Sequence, residues 1–271
     1  MTTLQRFSWF FQRPNLYPES FRRVKRNIKS LLFPALATHT ALARSKAKAQ
    51  ATEWCENSAI DTNTAILKIT GLADFETFYE KFKQQMRLSE EIVKKCPIKM
   101  GGAGNLDLVY HLAETLQATK VIETGVAYGW SSLALLMSLK NRNGSMLVST
   151  DLPYQFKDSE KYVGCAVPSE LKFIWKIIYS PDREALPQAE AILPTIDMCH
   201  YDSDKFYEGR LWAYPRLWKA IRPGGIFISD DVDDDLGFRD FCNSIEQEPL
   251  IVKFLTSSGV KYVGVLTKPQ I

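Results

Sequence analysis

The chain has 271 residues, of which 45% are hydrophobic and 24% charged, enough for one large α/β domain with an extension. It has no uninterrupted run of about 18 apolar residues, so no membrane span is predicted. Its first residues lack the succession of a basic start, an apolar stretch and a small-residue cleavage site, so no secretory leader is predicted. Five cysteines lie far apart without a C-x-x-C pair, which argues against a disulfide framework or a zinc cluster. We therefore expect a cytoplasmic protein.

The net charge of +3 is distributed unevenly. Residues 1–50 carry ten Lys or Arg and one acid, whereas the remainder carries 24 basic and 30 acidic residues. A basic leader of this kind suits contact with anionic lipid or nucleic acid, but also a solvated extension that packs on the body or on a partner subunit. We favour the solvated extension, and keep a homo-oligomer and a peripheral membrane contact through it as open hypotheses.

Residues 1–95 are predicted to be helical. Apolar residues recur at three- and four-residue spacing over 21–32 and 75–93, and 44–52 is a candidate helix or linker. From about residue 105, short apolar strands alternate with helices. The predicted strands are 120–123, 146–150, 173–179, 196–201, 226–229, 251–255 and 262–266, and the predicted helices are 107–116, 131–139, 183 onward, 211–221 and 238–245.

This alternation predicts an α/β fold. We expect a Rossmann-like, doubly wound, mostly parallel seven-stranded sheet with an antiparallel C-terminal hairpin strand, preceded by a helical N-terminal extension. Two units are predicted: the basic extension over residues 1–95 and the α/β domain over residues 96–271. Ligands of such sheets bind beyond the carboxyl ends of the strands, so the residues just after each strand are the candidates for a site.

A glycine-rich turn follows the first strand of the α/β domain. It runs from Glu123 to Gly129, with Gly125 and Gly129 placed where the backbone must turn and a ligand can approach without a Cβ in the way. The next helix begins near Ser131, and its free N–H groups favour a carboxylate or another polar group. The spacing is G-x-x-x-G and not G-x-G-x-x-G, so a dinucleotide is disfavoured, while a tight turn without a ligand stays the alternative.

Acidic residues follow the second, fourth and fifth strands. Asp151 can accept two hydrogen bonds from a ribose diol, or it can serve as a helix cap or loop acid. Asp202 and the pair Asp230 and Asp231 follow adjacent strands, and three converging carboxylates suit a hard cation such as Mg²⁺ unless they form a solvated acidic rim. Lys205 could act as a base beside such a cation, or form a surface ion pair.

Together these residues resemble the class I S-adenosylmethionine-dependent methyltransferases. More narrowly, residues 96–271 resemble the small-molecule O-methyltransferases of the catechol and the cephalosporin or macrolide-sugar type. The first loop of that family reads E-x-G-x-x-x-G, as in this chain. Its signatures I-D-G-D-H-S-Y-E-G and R-P-G-G-x-x-x-x-D-D-V correspond to residues 201–209 and 222–232.

The resemblance implies a role for each matching residue. A divalent cation, Mg²⁺ or another, would be held by Asp202, Asp230 and Asp231, and Lys205 would be the catalytic base. The stretch 100–105 resembles the segment that closes over the methionine end of S-adenosylmethionine. The implied cofactor-binding residues are Met100, Gly101, Glu123, Gly125, Tyr128, Gly129, Ser131, Asp151, Asp182 and Asp202.

The chain departs from the family pattern at two places. Ser203 stands where the signature has Gly, and the loop 180–183 lacks the usual G-D-S, which concerns the adenine contact expected from Asp182. Residues 1–95 match no feature of the family.

The function implied is S-adenosylmethionine-dependent methylation of a small-molecule or sugar hydroxyl, assisted by a divalent metal. Three alternatives stay open: a metal-independent methyltransferase of the same fold, a methyltransferase acting on RNA, and a non-catalytic interaction protein that keeps the fold. A nucleic acid partner is disfavoured, because the N/D-P-P-Y/F motif of base N-methylation is absent. A dehydrogenase is disfavoured by the glycine spacing.

Overall fold

The structure, a computed structural model, describes residues 9, 11–32, 41–152, 154, 158–257 and 259–270. Within these ranges no helix is both long and apolar enough to cross a membrane. The helices are α1 (Tyr17–Leu32), α2 (Ala41–Glu56), α3 (Thr62–Thr70), α4 (Phe78–Lys81), α5 (Lys83–Lys94), α6 (Leu106–Thr115), α7 (Trp130–Leu139), α8 (Asp182–Ile192), α9 (Tyr207–Ala220) and α10 (Gly237–Ser244).

The strands form one mixed sheet. They are β1 (Ile60–Asp61), β2 (Lys120–Thr124), β3 (Met146–Asp151), β4 (Trp175–Tyr179), β5 (Ile196–Tyr201), β6 (Ile221–Ser229), β7 (Leu250–Thr256) and β8 (Gly259–Thr267). Their order is β1-β7-β8-β6-β5-β2-β3-β4, with β8 antiparallel to both neighbours and every other pairing parallel. The predicted fold class, a doubly wound and mostly parallel sheet with an antiparallel hairpin strand, is confirmed.

The sheet has eight strands where seven were predicted. The additional strand β1 has two residues and pairs in parallel with β7, with Ile60 opposite Val252. Two residues are too few to show a period in the sequence. Asp61 also caps α3, its side chain accepting a hydrogen bond from the Thr64 N–H, so the stretch was readable only as the start of a helix.

Several predicted elements differ in extent from the observed ones, such as β6, which begins at Ile221 and not at 226, and α9, which begins at Tyr207 and not at 211. The helix predicted over 75–93 begins later and is broken, because Thr77 caps α4 and the Phe78 N–H is held by Asp107 at 2.6 Å. The strand predicted from residue 173 begins at Trp175, after a 3-10 helix over Ser169–Ile174. Residue 258, between β7 and β8, lies outside the described residues.

The core lies on both faces of the sheet, as a doubly wound fold requires. Neighbouring residues of a strand point to opposite faces, so Val121 belongs to the cluster under α6 and α7, and Ile122 to the cluster under α8, α9 and α10. Ile66, Phe78 and Met86 also join the first cluster. The segment from α3 to α5 therefore packs on the sheet, and the boundary predicted at residue 95 stays a prediction.

The register of the central strands sets the position of the candidate site. Thr124 of β2 lies opposite Thr150 of β3 and Tyr201 of β5, and Tyr201 lies opposite Ser229 of β6. The four strands are parallel, so their carboxyl ends meet at one edge of the sheet. The glycine loop and the predicted acids begin at that edge.

Candidate active site

A cleft of about 1000 Å³ opens at the carboxyl edge of the sheet. Its walls come from segments far apart in the chain: 101–104, the glycine loop, the ends of β3, β5 and β6, and the hairpin of β7 and β8. Glu19, Arg23 and Arg44 of the N-terminal helices add a further wall. Of the predicted site residues, those that line the cleft are Gly101, Gly125, Asp151, Asp182, Asp202, Lys205, Asp230 and Asp231.

The glycine loop is shaped by close backbone packing. Gly125 and Gly129 have φ values of 81° and 88°, in the left-handed region that favours glycine. A Cβ on Gly125 would lie 2.1 Å from the carbonyl oxygen of Asp202, and one on Gly129 would lie 2.8 Å from the Cα of Gly164. Both glycines are therefore required by the protein itself, in addition to any approach by a ligand.

Glu123 lies beneath the loop and is fully buried. Its carboxylate accepts hydrogen bonds from Ser131 at 2.6 Å, Ser132 at 2.5 Å and Ser149 at 2.7 Å. These bonds join the end of β2 to the first turn of α7 and to β3. Glu123 and Ser131, both predicted to contact the cofactor, thus hold the loop in shape from behind.

Asp151 supports the same loop from the cleft side. Its Oδ2 accepts hydrogen bonds from the backbone N–H groups of Val126 and Ala127, both at 2.8 Å. Burial raises the pKa of Asp151 to about 6 despite these two bonds. No described protein residue donates to Oδ1, so one oxygen shapes the loop while the other stays available to a ligand.

Tyr128 fastens the segment that precedes α6. Its hydroxyl donates to the carbonyl of Ile98 at 2.9 Å and accepts from the N–H of Met100 at 3.1 Å. Met100 is buried, and Gly101 is the first residue of this segment to reach the cleft. Met100 and Tyr128 therefore position the wall at 101–104.

Removing that hydroxyl tests its positioning role. In Tyr128→Phe, we expect faster amide hydrogen exchange over 98–104 and a three- to tenfold weaker binding of S-adenosylhomocysteine, since a lost hydrogen bond is worth about 1 kcal/mol. The matched control is Tyr79→Phe, which removes a hydroxyl from a partly exposed tyrosine on α4. Unchanged exchange over 98–104 in Tyr128→Phe would contradict the positioning role.

Ser203, the departure from the family signature, ties three elements together. Its hydroxyl donates to Asp182 at 2.5 Å and bonds the Thr124 hydroxyl at 2.9 Å. Burial raises the pKa of Asp182 to about 6, against the hydrogen bond from Ser203. The serine thereby fixes Asp182, at the start of α8, against the ends of β2 and β5.

Lys205 lies between two of the three predicted metal ligands. Its Nζ forms ion pairs with Asp202 and, at 2.9 Å, with Asp231, whose other oxygen pairs with Lys261 at 2.6 Å. Burial alone would lower the pKa of Lys205, but Asp202 and Asp231 outweigh it and raise that pKa above its usual value. In this arrangement Lys205 is an ammonium ion, whereas the predicted base must be able to accept a proton.

Asp230 faces another partner. Its Oδ1 is 3.6 Å from Nε2 of the buried His200 and accepts no hydrogen bond from the described residues. The described residues contain no cluster of three or more His, Cys, Asp or Glu side chains arranged to hold a metal ion. The oxygen donors suit Mg²⁺ chemically, but two of them are bridged by an ammonium group.

His200 connects the acidic edge to the glycine loop. Its Nδ1 is 3.7 Å from Glu123, opposite the contact with Asp230. Burial would lower the pKa of His200, but the two carboxylates raise it to about 10. His200 belongs to β5 and lies between the acids of two functional segments.

Arg210 was not found from the sequence. It lies in α9 and is fully buried, and its Nη2 donates to the carbonyl of Asp231 at 2.8 Å. Asp234 and Asp235 lie 4.0 and 3.8 Å from its guanidinium. The charge thus holds the backbone of the loop that presents Asp231, a residue with the unusual φ of 52°.

The N-terminal helices also reach the site, which the sequence did not indicate. Lys48 of α2 forms ion pairs with Asp233 at 3.0 Å and Asp234 at 2.8 Å. The guanidinium of Arg44 lies 5.2 Å from the ring centre of Phe206 in the cleft. Trp212 of α9 also lines the cleft.

Comparisons with known proteins agree with this geometry. Residues 122–232 match a family model described as a methyltransferase domain. The chain is similar in structure to the O-methyltransferase from Bacillus cereus solved with SAH, with a TM-score of 0.54 and 15% identity over 79% of this chain and 100% of that one. A second similar structure is the O-methyltransferase TomG from Streptomyces achromogenes, involved in tomaymycin synthesis and solved with SAM, with a TM-score of 0.50 and 19% identity over 76% and 96% of the two chains. No curated protein matches the sequence.

The fold and the match at residues 122–232 define the class of protein. The chain has the class I fold of S-adenosylmethionine-dependent methyltransferases. The residues that match the methyltransferase domain model include the glycine loop and the three acids Asp202, Asp230 and Asp231. The class predicted from the motifs is thereby confirmed.

Proposed function

We propose that the protein transfers a methyl group from S-adenosylmethionine to a hydroxyl of a small molecule or sugar. One observation carries the proposal: the glycine loop and the acidic strand ends, with Lys205 among them, open into one cleft of about 1000 Å³. A cleft of this size suits a cofactor and a small acceptor side by side. The O-methyltransferase activity of the two similar structures supports the choice of a hydroxyl acceptor.

The cofactor half of the cleft is assigned to the glycine loop. The N–H groups at the start of α7 and the segment 101–104 suit the methionine end, and Asp151 suits the ribose through Oδ1. Asp182, fixed by Ser203, lies at the carboxyl end of β4 and suits the adenine side. This placement points the methyl group toward the acids after β5 and β6.

The acceptor half is assigned to the acidic edge and the aromatic wall. Lys205 is placed to hold the acceptor oxygen in line with the methyl group, and Phe206 and Trp212 are placed to pack against the acceptor. Orientation of the two reactants supplies most of the acceleration in such a transfer. The acceptor proton must leave to a neighbouring group, and Lys205 can accept it only when its two carboxylates are neutralised.

A divalent cation is the first candidate for that neutralisation. Asp202, Asp230 and Asp231 would hold it, and it would lower the pKa of the acceptor hydroxyl. Hard oxygen donors and the Asp230 Oδ1 without a hydrogen bond support this assignment. It requires the Lys205 ammonium to leave the space between Asp202 and Asp231.

Metal-independent transfer is the second candidate, and the position of Lys205 favours it. The ammonium already lies between Asp202 and Asp231, and Lys261 compensates the remaining charge of Asp231. A positive charge is thus supplied to the acidic edge by the chain itself. The acceptor oxygen would then be oriented by Lys205, and its proton would pass to a carboxylate of the cleft such as Asp230, whose Oδ1 accepts no hydrogen bond from the described residues.

The test combines binding and turnover. Titration calorimetry with S-adenosylhomocysteine should give saturable binding, and release of that product should be followed with catechols and sugars as acceptors. In Asp202→Asn and Lys205→Met, turnover should fall at least about 100-fold, which is the size typical of a lost charge at the reacting atoms. Lys172→Met, an exposed lysine, is the matched control.

The metal is tested on the same assay. The first candidate predicts loss of turnover in EDTA, recovery with Mg²⁺, and Mn²⁺ binding that Asp230→Asn abolishes. The second predicts turnover unchanged by EDTA. Unchanged turnover in Asp202→Asn or Lys205→Met would overturn the assignment of this edge, and absence of cofactor binding would overturn the proposed function itself.

A further inference from the structure

Helix α1 displays an apolar face to solvent. Tyr17, Phe21, Val24 and Ile28 recur at spacings of four, three and four residues, which places them along one side of a helix. Phe21, Val24 and Ile28 are 74%, 54% and 51% exposed. An amphipathic helix of a globular protein normally turns such a face to the core, so this orientation is inverted.

The inversion arises because α1 is held by its polar side. Arg22 forms two hydrogen bonds of 2.7 Å with Glu184 of α8, and it also pairs with Glu19. The preceding segment is attached in the same way, through the Arg13 ion pair with Glu160 at 2.9 Å. The charged side of α1 thus packs on the body. No described residue buries the apolar side.

Phe11 extends this apolar surface. It is exposed, and its carbonyl accepts a hydrogen bond from the Tyr17 hydroxyl at 3.1 Å, which brings it to the start of the helix. We call the five residues Phe11, Tyr17, Phe21, Val24 and Ile28 the α1 face. Contiguous exposed apolar surface of this kind marks an interaction site.

The charge of α1 decides between possible occupants. The helix carries five Lys or Arg and one acid, and the exposed Lys25 directly follows Val24 of the α1 face. Arg22 and Arg23 are paired with Glu184 and Glu19, but Lys25 and the other basic residues of both helices would come together if two copies met through this face, which opposes self-association. An anionic bilayer satisfies both features, because its acyl region accepts the apolar residues and its headgroups attract the basic ones.

We propose that the α1 face docks the protein on the surface of an anionic membrane. The helix would lie in the plane of the interface with Phe21, Val24 and Ile28 inserted. Glu19 and Arg23 line the cleft from the opposite side of the same helix, so docking would hold that wall of the cleft about 10 Å, one helix diameter, from the lipid surface. The attachment is interfacial and separate from the methyl-transfer chemistry.

Co-sedimentation of the full chain with vesicles tests this docking. The wild type should bind vesicles of phosphatidylcholine with about 30% phosphatidylserine, and bind pure phosphatidylcholine vesicles at least about tenfold more weakly. The double variant Phe21→Ser with Ile28→Ser should lose at least about tenfold in partition, because it removes the apolar contribution. Lys25→Glu should weaken binding at low salt. Binding of this variant should also depend less on the salt concentration than binding of the wild type.

The matched control is Phe173→Ser, which removes an equally exposed phenylalanine from the 3-10 helix that precedes β4 and leaves the α1 face unchanged. Its partition should equal that of the wild type. The double variant should still bind S-adenosylhomocysteine like the wild type, so the result is independent of the proposed function. The proposal is overturned if the wild type ignores anionic vesicles, if the double variant binds them equally, or if ultracentrifugation shows a dimer that the double variant abolishes.

Discussion

Replacement of Gly125 by alanine is expected to weaken the binding of S-adenosylhomocysteine at least about 100-fold. The new Cβ would lie 2.1 Å from the carbonyl oxygen of Asp202, which is backbone and cannot turn aside. The residue would also have to keep a φ of 81°, which costs an alanine about 1–2 kcal/mol. The loop must therefore move, and with it the N–H groups of Val126 and Ala127 that Asp151 holds.

The measurement is calorimetric titration with S-adenosylhomocysteine, alongside thermal unfolding. Gly102→Ala is the matched control, because Gly102 lines the same cleft and an added Cβ there would have no neighbour within 4 Å. Its affinity should stay within about threefold of the wild type. If Gly125→Ala bound the ligand as tightly as Gly102→Ala, the glycine loop would not be the cofactor site.

Replacement of Arg210 by methionine is expected to lower the free energy of unfolding by about 3–5 kcal/mol, the usual cost of breaking a buried ionic network from one side. Arg210 is fully buried, and its loss leaves Asp235 without its nearest cation and the Asp231 carbonyl without its donor. Burial raises the pKa of Asp235 even with Arg210 present. The loop that presents Asp231 should loosen as the network is lost.

Urea unfolding measures this change, with hydrogen exchange over 230–237 as the local readout. Arg216→Met is the matched control, because Arg216 lies on the same helix but pairs with Glu190 at the partly exposed surface. Such a pair is worth less than about 1 kcal/mol. Equal destabilisation by both variants would show that Arg210 acts as an ordinary helix residue, without a special hold on the loop.

The sequence was sufficient for the order of elements and for the edge where the site lies. The hydrophobic pattern of a short strand or an amphipathic helix depends only on residues close together in the sequence. The positions of β2 to β6 and of their helices were therefore predictable within a few residues. Parallel strands bring their carboxyl ends to one edge, and this places Gly125, Asp151, Asp202 and Asp230 together without knowledge of any contact. The match at residues 122–232 confirms the class that these motifs predicted.

Other features depend on contacts between residues distant in the sequence, and only the tertiary structure decided them. The two-residue strand β1 exists because β7 is beside it, and Arg210 contacts the loop because the fold brings Asp231 and Asp235 next to it. The ammonium of Lys205 lies between Asp202 and Asp231, where the sequence predicted a metal ion.

The N-terminal segment shows the same division most clearly. Its basic charge and helical period are properties of the sequence, and they favoured a solvated extension while leaving a membrane contact and a partner subunit open. The spacing of apolar residues shows which residues share a side of a helix, but not which side packs against the rest of the protein. The ion pair of Arg22 with Glu184 decided that, because it turns Phe21 and Ile28 outward.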